Sequence, residues 1–319
     1  MRTRQILAMT CAGLAILATT AACGGNGGDG DTGGSDTLRI ASNSNASCLT
    51  TWVALEEGIF KKHGLDVKYT KVENVGTLPP ALGKNFDVVF VTPVQAIAAV
   101  AQGIPVTEIA GSSLDSTKDP NSYLMVKEGS PLKDLKDMEG KTIGVLTEVG
   151  TLHYATLNML KDAGVDPTSI SIKQVDGPTQ LDQLQAGRVD AVETLAPFSQ
   201  QLEQAGAKSL GTPFASLGDE ISVIWWAASN DWAKENPDKV KAFQESLEEA
   251  EKFIQENDAE ARKVLQKYSG FPAEVVKNFP LPDYDASVRP DDIDVWLKAM
   301  QDVADFKGKV DVDQLTVAR

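Results

Sequence analysis

The chain has 319 residues, with 30 Lys and Arg against 45 Asp and Glu and a formal net charge of −15. That acidity argues against a nucleic-acid partner and against electrostatic adhesion to anionic lipid. Three cysteines, Cys11, Cys23 and Cys48, exclude a disulfide framework, and the length suffices for a large core or two lobes.

The chain opens with Arg2 and Arg4, then an apolar run from Ile6 to Ala22 that ends in small residues. A charged start, a short apolar middle and a small-residue end predict a signal peptide over 1–22. Ala21 and Ala22 before Cys23 resemble a bacterial lipobox, in which the cysteine receives a lipid and becomes the new N-terminus; Thr20 stands where that motif usually has Leu. Seven glycines follow between positions 24 and 34. Such a segment buries too little to fold, so 23–36 is expected to be a lipidated flexible tether reaching about 20 Å.

Beyond the tether, strand-like and helix-like segments alternate. LRIAS (38–42) reads as a strand, and 49–64 as a helix with Trp52, Leu55 and Ile59 at helical spacing and Gly64 as its stop. DVKYTKV (66–72) and DVVFVT (87–92) read as strands, and Pro93 opens a helix. VTEIAGSS (106–113) is the next strand. A second set repeats the order over 142–148, 151–164, 170–176, 179–187 and 190–195. Two apolar extended segments, 122–128 and 221–229, flank that set. Apolar stripes at Val240, Phe243, Leu247, Ala250 and Phe253, and at Ile293, Trp296, Met300 and Val303, predict helices in the tail. Alternating βα order predicts α/β architecture with parallel sheets. Either one continuous sheet or two lobes joined by two crossing segments fits this periodicity.

Signals for catalysis are missing. HExxH, paired CxxC, GxSxG and a strand-linked GxGxxG do not occur, and the two histidines, His63 and His153, lie far apart in sequence. What recurs is a strand ending in small polar residues before a helix: Ser42 to Asn45, Thr92, Ser112 and Ser113, Glu148 to Thr151, and Thr194. At the carboxyl ends of parallel strands such residues face a ligand crevice, where helix N-termini favour an anion. The same residues also serve as ordinary helix caps.

The stretches EEGIFKKHGLDV (56–67), FDVVFVTPVQAIAAVAQG (86–103), DLKDMEGKTIGV (134–145) and LDQLQAGRVDAVETLAPF (181–198) carry a resemblance. The chain resembles substrate-binding proteins of ABC importers, in the nitrate, sulfonate, taurine and thiamine-pyrimidine (NMT1/THI5-like) group. The resemblance implies the type II periplasmic-binding-protein fold: two α/β lobes, a two-segment hinge and a ligand cleft between them. It places lobe I over 37–121 and 222–319 and lobe II over 122–221, with crossings near 122–128 and 215–225. It implies a monomeric, non-enzymatic lipoprotein on the extracytoplasmic face of the cell membrane, needing no cofactor or metal. Its partners would be a small organic anion or zwitterion, an ABC permease and its ATPase.

Carried over by the resemblance, the cleft would take Asn45, Trp52, Thr92, Ser112, Glu148, Thr151, His153 and Thr194. Glu148 and Glu193 depart from a bare-anion site, and a zwitterion such as taurine would reconcile a carboxylate with an anion pocket. A thiamine-pyrimidine or aromatic carboxylate ligand is the alternative. An enzyme of the THI5 type is another, although Cys48 alone does not supply that group's clustered cysteines. A sensing or adhesive lipoprotein with no transporter is a third. Cys23→Ala is expected to move the protein from the membrane fraction to the medium, assayed by fractionation and immunoblot. Undiminished membrane retention contradicts the anchor.

Overall fold

The computed structural model describes residues 37–304, 306–308 and 310–317. The expected signal segment, Cys23 and all but the last residue of the span 1–37 lie outside them. The chain begins with strands β1 (Leu38–Ser42), β2 (Val67–Lys71), β3 (Val88–Val91) and β4 (Thr107–Ser116), interleaved with helices α1 (Leu49–Glu56), α2 (Ile59–Lys62) and α3 (Pro93–Ala101). It then leaves for a second sheet of β5 (Ser122–Val126), β6 (Thr142–Val145), β7 (Ser171–Gln174), β8 (Ala191–Leu195) and β9 (Lys208–Gly211), with α4 (Thr151–Asp162), α5 (Gln180–Gln185) and α6 (Phe198–Gln204). It returns as β10 (Glu220–Ala228) and a helical tail, α7 (Asn230–Glu235), α8 (Pro237–Glu256), α9 (Asp258–Ser269), α10 (Ala273–Lys277) and α11 (Pro290–Ala304), with β11 (Asp283–Tyr284) between the last two helices.

The first sheet has the order β11-β4-β10-β3-β1-β2 and the second β7-β6-β8-β5-β9. β1, β2 and β3 pair in parallel, whereas β10 runs antiparallel between β3 and β4. In the second sheet β6 pairs in parallel with β7 and β8, and β5 runs antiparallel between β8 and β9. The purely parallel expectation is therefore corrected at β10 and the two-residue edge strand β11 in the first sheet and at β5 in the second. β5 and β10 are strands the chain forms directly after changing sheets, so they meet their neighbours without a covering crossover helix.

The two apolar segments expected to carry the crossings, 122–128 and 221–229, contain β5 and β10, each wholly within one sheet. The passages between sheets are 117–121 and 212–219, the first beside the crossing expected near 122–128 and the second overlapping the one expected near 215–225. They are tied to each other where Thr117 N–H donates to Asp219 O at 3.0 Å. The polar passage 117–121 bears exposure to water, and the apolar strands go inside, as does Phe214 of the second passage.

Burial explains the strand patterns. All ten residues of β4 are buried, and Trp225 and Trp226, neighbours on β10 with opposite faces, are both fully covered. Both faces of the first sheet are therefore packed. Gly111 on β4 is required by a close approach, since a Cβ there would lie 2.4 Å from Asp285 O and 2.5 Å from Ser287 O. The helix expected over 49–64 breaks at Gly58, whose φ of 70° is the left-handed region that glycine tolerates.

In the second sheet Leu124 and Val126 face one core cluster and Met125 the other, the alternation a two-faced strand demands. α4 belongs to both bodies. Met159 and Leu160 enter the second sheet's core, while Leu152 and Ala155 enter the core of the first. Asn158 Nδ2 also donates to Ala299 O of α11 at 2.9 Å.

Trp52 is fully buried on α1. Its Nε1–H donates to Tyr69 Oη at 2.9 Å, and its ring stacks on Tyr268 with centroids 5.3 Å apart. Truncation leaves a large cavity and removes one of the Tyr69 hydroxyl's partners, Ser42 Oγ at 2.7 Å remaining. Trp52→Ala is expected to cost about 3–5 kcal/mol of stability, read as a lowered denaturant midpoint. An unchanged midpoint contradicts this placement.

Candidate functional site

Between the carboxyl ends of the two sets of strands lies a cleft of about 390 Å³. Its walls come from five places: the turn after β1, the start of α3, the end of β4, the loop and first turn of α4, and the segment after β8. Residues 271–282, the return from α9, close the remaining side with Phe271, Phe279 and Pro282.

The turn after β1 is built by its own side chains. Asn45 Oδ1 accepts from Ser47 N–H at 2.9 Å, and Asn43 Oδ1 accepts from Asn45 N–H at 3.1 Å. Below it, Ser112 Oγ donates to Ser47 O at 2.6 Å and Ser113 Oγ to Ser47 Oγ at 2.9 Å. Thr92 caps α3 in a capping box, with Oγ1 accepting from Gln95 N–H and Gln95 Oε1 accepting from Thr92 N–H. Here cap and cleft wall coincide, so strand-end polarity serves both readings at once.

α4 starts differently. Its N-cap is Gly150, which offers no side chain to the first-turn N–H groups. Gly150, Thr151 and Leu152 line the cleft, and the hydroxyl of Thr151, a residue 6% exposed, is buried with no hydrogen-bond partner. A twelve-residue helix with an open N-terminus and a free hydroxyl beside it favours an acceptor-rich, negatively charged group.

At the end of β4 stands Asp115, 2% exposed. Its Oδ2 accepts from Asn121 N–H at 2.9 Å across the first passage, and its Oδ1 has no partner. Asn121 Oδ1 in turn accepts from Ala196 N–H at 3.4 Å, and all three residues line the cleft. Burial pushes the Asp115 carboxyl up to about 7, with Asp119 adding in the same direction and the Asn121 N–H opposing both. The walls around these polar points are apolar and include five phenylalanines, Phe90, Phe198, Phe214, Phe271 and Phe279.

Of the residues expected in the cleft, Asn45, Thr92 and Thr151 line it. Trp52 does not, being core. Ser112 lies one layer beneath, holding the Ser47 turn. Glu148 is exposed, and although Thr147 and Val149 beside it line the cleft, it does not. Thr194 is fully buried and alternates away from the cleft on β8, where Leu195 lines it instead. His153 is buried outside the lining, with Nδ1 3.2 Å from Oε2 of the buried Glu193, whose carboxyl is pushed up by its burial.

Asp115, Asn121 and the 271–282 wall escaped sequence reading. β4 was expected to stop at 113, and only the continued polar alternation in SSLDS signalled that it runs to Ser116. The wall after α9 carries no regular pattern at all. Cys48 is fully buried, and its thiol is pushed up to about 12 by desolvation, which leaves it inert at neutral pH. Among the described residues no cluster of His, Cys, Asp and Glu has metal-holding geometry, and no helix is long and apolar enough to cross a membrane.

A family profile described as NMT1/THI5 like matches residues 45–261. The Saccharomyces cerevisiae 4-amino-5-hydroxymethyl-2-methylpyrimidine phosphate synthase THI13 is 25% identical over 230 residues, 67% of this chain, which spans 65% of that protein's length. The taurine-binding periplasmic protein of Escherichia coli is 28% identical over 153 residues, 48% of this chain and 46% of that protein. The crystal structure of the periplasmic aliphatic sulphonate binding protein SsuA from Escherichia coli superposes with a TM-score of 0.75 at 19% identity, covering 88% of this chain and 91% of that one. That likeness shows a shared fold, the periplasmic-binding-protein architecture.

The Asp115 carboxyl predicts a pH dependence of stability. The unfolded group ionises near pH 3.8, and the folded site holds its proton to about pH 7. The stability it contributes is complete below the unfolded value and is lost as pH rises through the folded one. Asp115→Asn, which imitates the protonated acid, is expected to melt close to wild type at pH 4 and several degrees above it at pH 8. A difference that stays constant between pH 4 and pH 8 contradicts this.

Proposed function

The chain belongs to the NMT1/THI5-like family, and from that premise we propose that it is an extracytoplasmic solute-binding lipoprotein of an ABC importer, capturing a small organic anion or zwitterion for its permease. Lobe I would comprise 37–121 and 222–319 and lobe II 122–221. The observation that carries the reading is the open start of α4: first-turn N–H groups without a capping side chain, beside the buried free hydroxyl of Thr151, turned into a cleft between the two sheets. The taurine-binding relative described above supports it, whereas the THI13 relative is named as a synthase. The inert thiol of Cys48 weighs against a cysteine-dependent enzyme.

Capture follows from differential affinity. A solute held first by the β1 turn, Thr92 and the end of β4 gains the α4 start only when the second lobe closes on it. Binding therefore shifts the population toward the closed form that docks on the permease. The two passages at 117–121 and 212–219 would bend, with α4 pivoting on α11.

A second reading is favoured by the five phenylalanines on the walls. They suit an aromatic body, such as a thiamine pyrimidine or an aromatic carboxylate, over a naked nitrate. Native mass spectrometry of the purified full chain is expected to show a co-purified small molecule. Thr151→Val is expected to weaken propane-1-sulfonate or the identified anion about tenfold, the loss of one hydrogen bond to a charged group. No bound solute together with no measurable sulfonate affinity contradicts the reading.

A further inference from the structure

The inference here rests on the solute-binding reading and deepens it. Asp115 is the only ionisable side chain lining the cleft among the described residues. One of its oxygens is used by Asn121, and the other is buried and has nothing to bond. No lysine, arginine or histidine lines the cavity to neutralise it. A buried carboxyl oxygen without a donor is costly, and the cost falls when an incoming N–H reaches it. Once the acid ionises, a ligand group with only acceptors meets repulsion there.

The charge pattern is therefore two-ended. The α4 start with Thr151 offers donors, and Asp115 Oδ1, once the acid is ionised, offers only an acceptor. Apolar walls lie between them, with Leu114 next to Asp115 and Phe198 and Leu152 near the other end of the chain's contribution to the cleft. Glu148, which would supply the acid on the sequence alone, is exposed and outside the lining.

We propose that Asp115 selects the solute by its amine: the ligand is a zwitterion that brings an ammonium or amino N–H to Asp115 Oδ1 and its anionic group to the start of α4, with an apolar or aromatic body against the phenylalanine walls. A bare anion of the same shape binds more weakly. The Asn121 N–H fixes the carboxyl and Asn121 Oδ1 holds Ala196, so the amine docks on a network that spans the first passage between the sheets.

The test is calorimetric titration of the purified full chain at neutral pH with two matched pairs and a control. The pairs are taurine with propane-1-sulfonate, and 4-(aminomethyl)benzenesulfonate with 4-ethylbenzenesulfonate, in which a methyl replaces the ammonium. The control is benzylamine, which has no anion. In the wild type the amine-bearing member of at least one pair is expected to bind at least tenfold tighter than its partner. Asp115→Asn keeps an oxygen for the Asn121 N–H and is expected to reduce that preference at least tenfold, leaving the amine-free sulfonate unweakened. Asp115→Ser must show the same loss and serves if the first variant does not fold.

Sulfonates that bind without regard to the amine, in wild type and variant alike, overturn the role of Asp115 and leave the anion-binding reading standing. So does tighter binding of the amine-free members. Benzylamine bound in an Asp115-dependent way with no sulfonate bound would keep the amine contact, removing the anion-binding reading and with it the zwitterion. No binding by any probe overturns both.

Discussion

A single carboxyl group at the end of β4 serves two purposes. Its Oδ2 takes the Asn121 N–H and so pins the first passage between the sheets, while its Oδ1 is left buried and unpaired in the cleft. A charge in that position is stable only if something donates to it. The protein supplies one donor and leaves the second to whatever enters.

The architecture around the passage explains how a cleft persists between two well-packed bodies. Each sheet has its own apolar clusters; the connection 117–121 is polar, and 212–219 buries Phe214 in the first sheet's core. α4 is the exception, since it contributes side chains to both cores and hydrogen-bonds to α11. An element with one foot in each body carries the donor end of the cleft, so closing on a solute and packing on α11 are coupled through the same helix.

Much of this was legible from residue patterns. Strand alternation and helical stripes placed β1, β2, β3, α3, α4 and β8 within a residue or two, because burial on a fixed face imposes those periods on the chain. The polar strand ends pointed correctly to Asn45, Thr92 and Thr151 as cleft-facing positions. What failed was which neighbour faces the cleft. Thr194 and Leu195 differ by one residue on β8, as do Ser112 and Ser113 on β4, and a strand's register decides between them. Trp52 was ambiguous because a helix face reads the same whether it meets ligand or core, and only the Tyr69 and Tyr268 contacts resolve it. Asp115 was hidden in a strand that ran three residues longer than its apolar run, and the 271–282 wall comes from irregular chain that no period describes.

The most direct measurement is a crystal structure of the full chain isolated from its own cells without unfolding, with the cleft contents left in place. The account predicts electron density for a small solute that gives an N–H to Asp115 Oδ1 and places acceptor atoms at Thr151 Oγ1 and the first-turn N–H groups of α4. A solute seated elsewhere on the molecule, or one in the cleft whose polar atoms touch neither Asp115 nor the α4 start, contradicts it.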